Sequence, residues 1–312
     1  FYRSWKLLNA DSAKTPDQMF KIWVDHFTST KMQGKETKQF YTNDEIERFC
    51  SMFLERLNIN GISRKATLWS IIKSYAWAKN IDLNRIRTVV QHEHVSFPYK
   101  NIFEDFADPN IIMILRDPRA SIAGYYKSIE KKYGNYPDTY EYFINMSLEE
   151  WMNSCDLYKM YEYQLGNKFK VVINEKLSQN TKEVMLDLSK WLGIEYNDSL
   201  IKSTYPSGID WVPDSSYISR EQYNDISNFP TQIDKYFDKE RVKKRWLTIL
   251  NDKRDIIMIE FLFNDIMEKF LYKRMTEKTV FTKLKGLIYF LMPHRGKHRY
   301  KYYSAEKSEI MR

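Results

Sequence analysis

Residues 111–126, IIMILRDPRASIAGYY, join an uninterrupted apolar run to a charged turn and then to a segment with helical spacing, and few folds accommodate that order. Ile111–Leu115 has strand length and no polar break, the pattern of a parallel strand covered on both sides. Asp117 can cap a helix whose first residue is Pro118, because the N–H that proline lacks would have no intrahelical acceptor there. Ile122, Tyr126, Ile129 and Tyr133 recur at helical spacing and Gly134 closes the pattern. The stretch predicts a strand, a tight turn and a helix.

Arg116 then stands at the carboxyl end of a buried strand beside a helix N-terminus, where unpaired N–H groups and the positive dipole end favour anions. A phosphate there would meet a guanidinium fork together with backbone donors. Gly124 falls mid-helix, where glycine costs about 1 kcal/mol relative to alanine, so a close approach to that face is expected. Ala120 and Ser128 extend the same narrow stripe. The bland alternative is an arginine that makes a salt bridge and a glycine that admits a packed helix.

The surrounding chain alternates in the way an α/β fold requires. Residues 1–85 read as a helical annex rich in aromatics, with DEIERFCSMFLERL and ATLWSIIKSYAWAK spaced at three and four. From residue 87, TVVQ is a short β-branched run, PYKNIFEDF suggests a short helix and IIMIL is the next strand, a βαβ unit that makes the sheet parallel. A long helix is expected over 146–165, a third strand at FKVVI, 169–173, and a helix in KEVMLDLSKWLGI up to Gly193. Residues 203–231 read as a long loop, and DIIMIEFLFNDIMEKFL, 255–271, as a helix. The expected architecture is α/β: a parallel sheet with helices on both faces plus the helical annex. The expected division is a domain over 1–272, with the annex at 1–85 and the α/β core and C-terminal helices at 86–272, followed by a basic tail at 273–312.

Composition narrows the classes further. Cys50 and Cys155 are the two cysteines, far apart and outside any metal-ligand spacing, which argues against a disulfide scaffold or a zinc site, so no metal is expected. No segment approaches the roughly 20 apolar residues that span a bilayer. A cytoplasmic location is the default, with the Golgi lumen the expectation if a membrane anchor precedes Phe1. Residues 273–312 hold 11 Lys+Arg and 3 Asp+Glu, the whole of the net +8, so the tail is basic and the body neutral. Such a tail can follow phosphates or an anionic membrane, or simply be solvated. VFTKLKGLIYFLMP, just ahead of it, either packs on the body or lies on a membrane, so peripheral membrane contact through 280–312 stays open. No nucleic-acid partner is expected, and oligomeric state is open.

LRDPRASIAGYY, preceded by VVQHEHVSFPYKNIFEDF and followed by FKVVINEKLSQNTKEVMLDLSKWLGI, resembles the sulfotransferase superfamily over about residues 87–217. The resemblance implies a P-loop-like fold and transfer of a sulfuryl group from 3′-phosphoadenosine 5′-phosphosulfate (PAPS) to a hydroxyl acceptor, a glycan or similar molecule. It implies that Arg116 binds the 3′-phosphate. The partner serine of the family falls where this chain has Gly124, which offers no hydroxyl. The family's Tyr-Glu-Asp-Leu segment is matched only at Glu175 and Leu177. Trp211, Asp214, Ser215 and Ser216 resemble its late Trp and Asn-Ser-Ser stretch. Its phosphate loop, roughly Pro-Lys/Arg-Ser-Gly-Thr-Thr, has only a faint echo at 61–69. The resemblance therefore implies that this loop falls before Phe1, that the chain is a fragment lacking it, and that turnover needs it restored.

Sulfuryl transfer works through in-line attack, positioning and charge stabilisation of the leaving phosphate, and it needs a base for the acceptor proton. The end of the 87–91 run, Gln91, His92, Glu93 and His94, is the place to look, because ligands bind outside the carboxyl ends of parallel strands. Histidine titrates near neutrality, and the family resemblance favours His94, with His92 and Glu93 as alternates. Solvent-facing histidines are the bland alternative. Two rival functions share these residues: a non-catalytic nucleotide- or anion-binding protein of the same fold, and a nucleotide kinase, which an upstream Gly-x-x-x-x-Gly-Lys-Ser/Thr would indicate. Trp5, Tyr41, Trp69, Tyr75 and Trp77 could stack on sugar rings or form core.

Overall fold

The computed structural model describes residues 13–28, 42–86, 88–90, 99–133, 139–201, 245–250 and 252–291. These residues divide into two compact units, one up to Pro109 and one from Asn110 onward.

The first unit is helical. Its helices are α1 (Pro16–Thr28), α2 (Asn43–Asn60), α3 (Arg64–Ala78) and α4 (Tyr99–Asp105). Local chemistry sets the bounds of α2. The Thr42 hydroxyl accepts from Glu45 N at 3.2 Å while the Glu45 carboxylate accepts from Thr42 N at 2.9 Å, a reciprocal cap. Gly61, at φ 79°, ends the helix in a backbone region that L side chains rarely adopt, and its N–H donates to Leu57 O at 2.9 Å. Ser63 opens α3 by accepting from Ala66 N. Met19, Phe53 and Leu57 are fully buried between α1 and α2, and Phe49 stacks on Phe53 with ring centroids 5.6 Å apart. The described residues of 1–85 are thus mostly helical.

The second unit holds two parallel strands, β1 (Ile111–Leu115) and β2 (Phe169–Ile173), paired directly from Ile111 opposite Phe169 to Leu115 opposite Ile173. The crossover between them runs through α5 (Pro118–Tyr133) and α6 (Thr139–Leu165). After β2 come α7 (Asn174–Gln179) and α8 (Thr181–Leu192), which stops at Gly193 in the left-handed region. The later helices are α9 (Lys253–Leu262), α10 (Asn264–Lys269) and α11 (Val280–Leu291). Leu115 packs with Tyr158 of α6 and Ile266 of α10 under one face of the sheet. Ala120, Ile122, Ala123 and Tyr126 carry α5 into a second cluster with Leu148, Trp246 and residues of α9. The small residues at 120 and 123 thus serve helix packing, while Gly124 beside them is half-buried.

Four expectations change. Residues 88–90, the described part of the expected strand TVVQ, are not strand, and Val90 is 81 % exposed. The parallel βαβ crossover therefore lies between 111 and 173, and the described sheet has two strands rather than three. β1 is not covered on both sides: Met113 and Leu115 face the core, but Ile112 and Ile114 are exposed, Ile114 by 63 %. The long helix starts at Thr139, earlier than its apolar spacing suggests. The helix expected over 255–271 breaks at Phe263 into α9 and α10. Gly134, Tyr41, Trp5 and the 203–231 loop lie outside the described residues.

Candidate functional site

Both strands end at the same edge, and the residues that follow them meet there. Arg116 and Asp117 follow β1, and Glu175 opens α7 after β2. Asp117 N donates to Glu175 Oε1 at 2.9 Å, so one carboxylate ties the turn after β1 to the helix after β2. The other oxygen of Glu175 accepts from Tyr272 Oη at 3.0 Å. Burial first, and then the Glu175 charge and hydrogen bond, push the Tyr272 phenol well above its ordinary pKa, so it remains a donor. The positive charge of Arg116 acts on that phenol in the opposite sense.

Asp117 and Arg119 form the inner half of the turn. The Asp117 carboxylate accepts from Arg119 N at 2.9 Å, which caps α5 as expected, and also takes Arg119 Nε at 3.0 Å and Nη2 at 2.7 Å. Arg119 Nη1 donates to Glu260 Oε1 at 2.6 Å and Nη2 to Lys273 O at 2.9 Å, while the guanidinium lies 4.6 Å from the Trp246 ring centroid. Glu260, with no exposed surface, also accepts from Met275 N, Thr276 N and Thr276 Oγ1. Burial works against the Arg119 charge, but the Asp117 and Glu260 carboxylates outweigh it and hold its pKa above the ordinary arginine value.

Arg116 is different. Among the described residues its buried Nε finds no hydrogen-bond partner and its guanidinium makes no ion pair. A buried donor left unpaired costs about 1–3 kcal/mol, so this position favours an acceptor beyond those the described residues supply. The expectation that the α5 N-terminus would add free backbone donors needs correcting. Pro118 has no N–H, Asp117 takes that of Arg119 and Glu175 takes that of Asp117, so an anion at this corner would meet Arg116 with fewer backbone donors than expected.

The other expected site residues fall differently. His92, Glu93 and His94 lie outside the described residues, as do Trp211, Asp214, Ser215 and Ser216. Gly124 lies on α5, eight residues after Arg116, and brings no hydroxyl. Trp69 and Trp77 of the annex are exposed on α3. No group of three or more potential metal ligands occurs among the described residues, and no described helix is long and apolar enough to cross a membrane. Glu260 and Tyr272 were not anticipated. The signal for Glu260 was present, a carboxylate inside the otherwise apolar run of DIIMIEFLF.

Two parallel strands joined through helices, with Arg116 just past their shared carboxyl edge, place the unit in the α/β class. The profile of the sulfotransferase domain matches residues 22–244, well over half of the chain, and the chain belongs to that family. Membership sets the broad chemistry as sulfuryl transfer. The match includes Arg116, Asp117, Arg119 and Glu175 and ends before Glu260 and Tyr272. No curated protein and no solved structure matches the chain.

Proposed function

We propose that the chain transfers a sulfuryl group from PAPS to a hydroxyl of a glycan or similar acceptor, and that Arg116 holds the 3′-phosphate of the nucleotide. The observation that carries this reading is the contrast within one turn: Arg119 has every donor nitrogen engaged, while Arg116 keeps a buried Nε with no partner among the described residues. Arg119 offsets the Asp117 carboxylate, which would otherwise repel a phosphate approaching Arg116. Glu175 fixes the backbone of the turn through Asp117 N, so the guanidinium is presented from a braced position.

Gly124 makes the anchor simpler than in family members that carry a serine there, so the 3′-phosphate contact rests more heavily on the single arginine. For the acceptor, His94 is the proposed base, with His92 and Glu93 as alternates, because a neutral imidazole can take the hydroxyl proton as the oxygen attacks sulfur in line. The sulfuryl–oxygen bond to the 5′-phosphate breaks as the bond to the acceptor forms, and adenosine 3′,5′-bisphosphate leaves.

The test compares adenosine 3′,5′-bisphosphate with adenosine 5′-monophosphate as ligands of the 312-residue chain. The reading expects the bisphosphate to bind more tightly by about tenfold or more, the scale of one charge-assisted fork. Equal affinities would remove Arg116 from the role of 3′-phosphate anchor.

A further inference from the structure

α11 is apolar on two sides. Toward the body, Gly286 is buried so closely that any Cβ there would overlap the Phe261 side chain, and Ile257 O lies 3.3 Å from that position. Tyr289 and Phe290 pack against the same core cluster. On the opposite side Val280, Phe281, Leu284, Leu287, Ile288 and Leu291 are all exposed, Val280 by 85 % and Phe281 by 64 %. At 3.6 residues per turn these six fall within an arc of roughly 120°, a stripe as wide as the one a surface helix normally turns inward.

The charges on α11 are of one sign. Lys283 and Lys285 are the sole charged residues of α11, and on the helical wheel they flank the stripe, one on each border. Lys285 Nζ sits 4.3 Å from the Phe281 ring centroid, its stem along the apolar surface. In sequence, residues 292–312 add six Lys+Arg (Arg295, Lys297, Arg299, Lys301, Lys307, Arg312) against Glu306 and Glu309. A helix of 12 residues is about 18 Å long, too short to cross a hydrocarbon layer of about 30 Å but suited to lying in its surface.

We propose that the exposed face of α11 docks on an anionic lipid surface, with Phe281, Leu284, Ile288 and Leu291 entering the headgroup boundary and Lys283 and Lys285 meeting the acidic headgroups. Charge decides between this occupant and a second copy of the chain. Two copies face to face would set lysines against lysines with no acid on the helix to pair with them, whereas an anionic leaflet neutralises both borders of the stripe. The face belongs to the same compact unit as the Arg116 corner, so docking would bring that unit to a membrane without a spanning segment.

The test is co-sedimentation of the full chain with phosphatidylcholine vesicles that contain or lack phosphatidylserine, beside Leu284→Ser/Ile288→Ser and Lys283→Ala/Lys285→Ala. Both pairs include exposed positions, and a thermal melt checks that each variant is folded. The expected result is binding to the phosphatidylserine vesicles that weakens with salt and falls by about tenfold or more in the serine pair. The lysine pair should lose part of the phosphatidylserine preference. Equal binding by the wild type and the serine pair would overturn the proposal, because a basic tail alone would then account for it. A wild-type dimer in sedimentation velocity without lipid, converted to monomer by the serine pair, would also overturn it in favour of a second copy.

Discussion

The two units of the molecule handle charge in different ways. In the N-terminal unit the ion pairs sit at the rim: Lys79 with Glu45 at 2.8 Å, and Arg64 with Glu104 at 2.7 Å and Asp105 at 3.0 Å, all with partly exposed side chains. In the C-terminal unit Arg119 and Glu260 are interior, joined to Asp117 and to the backbone of 273–276. The interior of the first unit is centred on Met19, Phe53 and Leu57, and the polar groups buried there are the uncharged hydroxyls of Thr67, Ser70 and Ser74. Rim pairs trim a structure that apolar burial already holds, and their worth is about 0–1 kcal/mol. An interior network is a different commitment, since removing one partner strands the others in a medium that solvates them poorly. The C-terminal unit places that commitment beside Arg116, which ties the shape of the candidate site to the charges behind it.

The largest expected effect follows from this. Glu260→Ala leaves Arg119 Nη1 and the N–H groups of Met275 and Thr276 without their acceptor and should destabilise the unit by about 3–5 kcal/mol, read from urea unfolding. A loss below about 1 kcal/mol would show that the interior network is no more binding than the rim pairs. Next comes thiol chemistry, where the units differ again. Burial raises both cysteines, and Cys155 on α6 is pushed up to about 11 from an ordinary value of 9.0. The thiolate is the reactive form, so a raised value lowers the reactive fraction, here roughly a hundredfold below a free thiol at pH 8. Iodoacetamide labelling followed by mass spectrometry should therefore find Cys50 modified before Cys155. The reverse order would mean that Cys155 is far less enclosed than its packing indicates.

Gly286→Ala tests the packed face of α11. The added methyl meets Phe261 at its Cβ and Cγ, where little can give, and overpacking of this kind costs about 1–3 kcal/mol, measurable as a lowered melting temperature. The smallest effect belongs to the rim. Arg64→Ala removes its pairs with Glu104 and Asp105 and should cost less than about 1 kcal/mol, in contrast to Glu260→Ala. A larger loss there would erase the distinction between the units.

The same contrast explains what could be read from the chain. β1, β2, α5, α8 with its Gly193 stop and the helices of the annex are legible because their signals are local: apolar runs, a cap, a proline at the first helical turn, a glycine just past the end. Residues 88–90 show the limit. A short β-branched run favours a strand only where a neighbouring strand pairs with it, and pairing is not a local property. The exposed face of β1 has the same origin, because an apolar run reports that burial is favourable and says nothing of what is there to cover it. At the candidate site Arg116 stood out at once, since its position follows from the strand that precedes it. The lock on Arg119 did not, because Glu260 lies 141 residues away in sequence. The N-terminal donors of α5 are not legible as occupied, because a capping Asp117 shows in the sequence while the N–H groups it takes show only in the folded turn.

The most direct measurement is a calorimetric titration of adenosine 3′,5′-bisphosphate into the wild-type chain and into Arg116→Ala at one fixed salt concentration, with unfolding curves for both. The account predicts similar stability for the two proteins and affinity reduced by roughly ten- to a hundredfold in the variant, the scale of a lost charge-assisted fork. Unchanged affinity in Arg116→Ala would contradict it, since the nucleotide would then be held by groups other than the arginine at the carboxyl edge of β1.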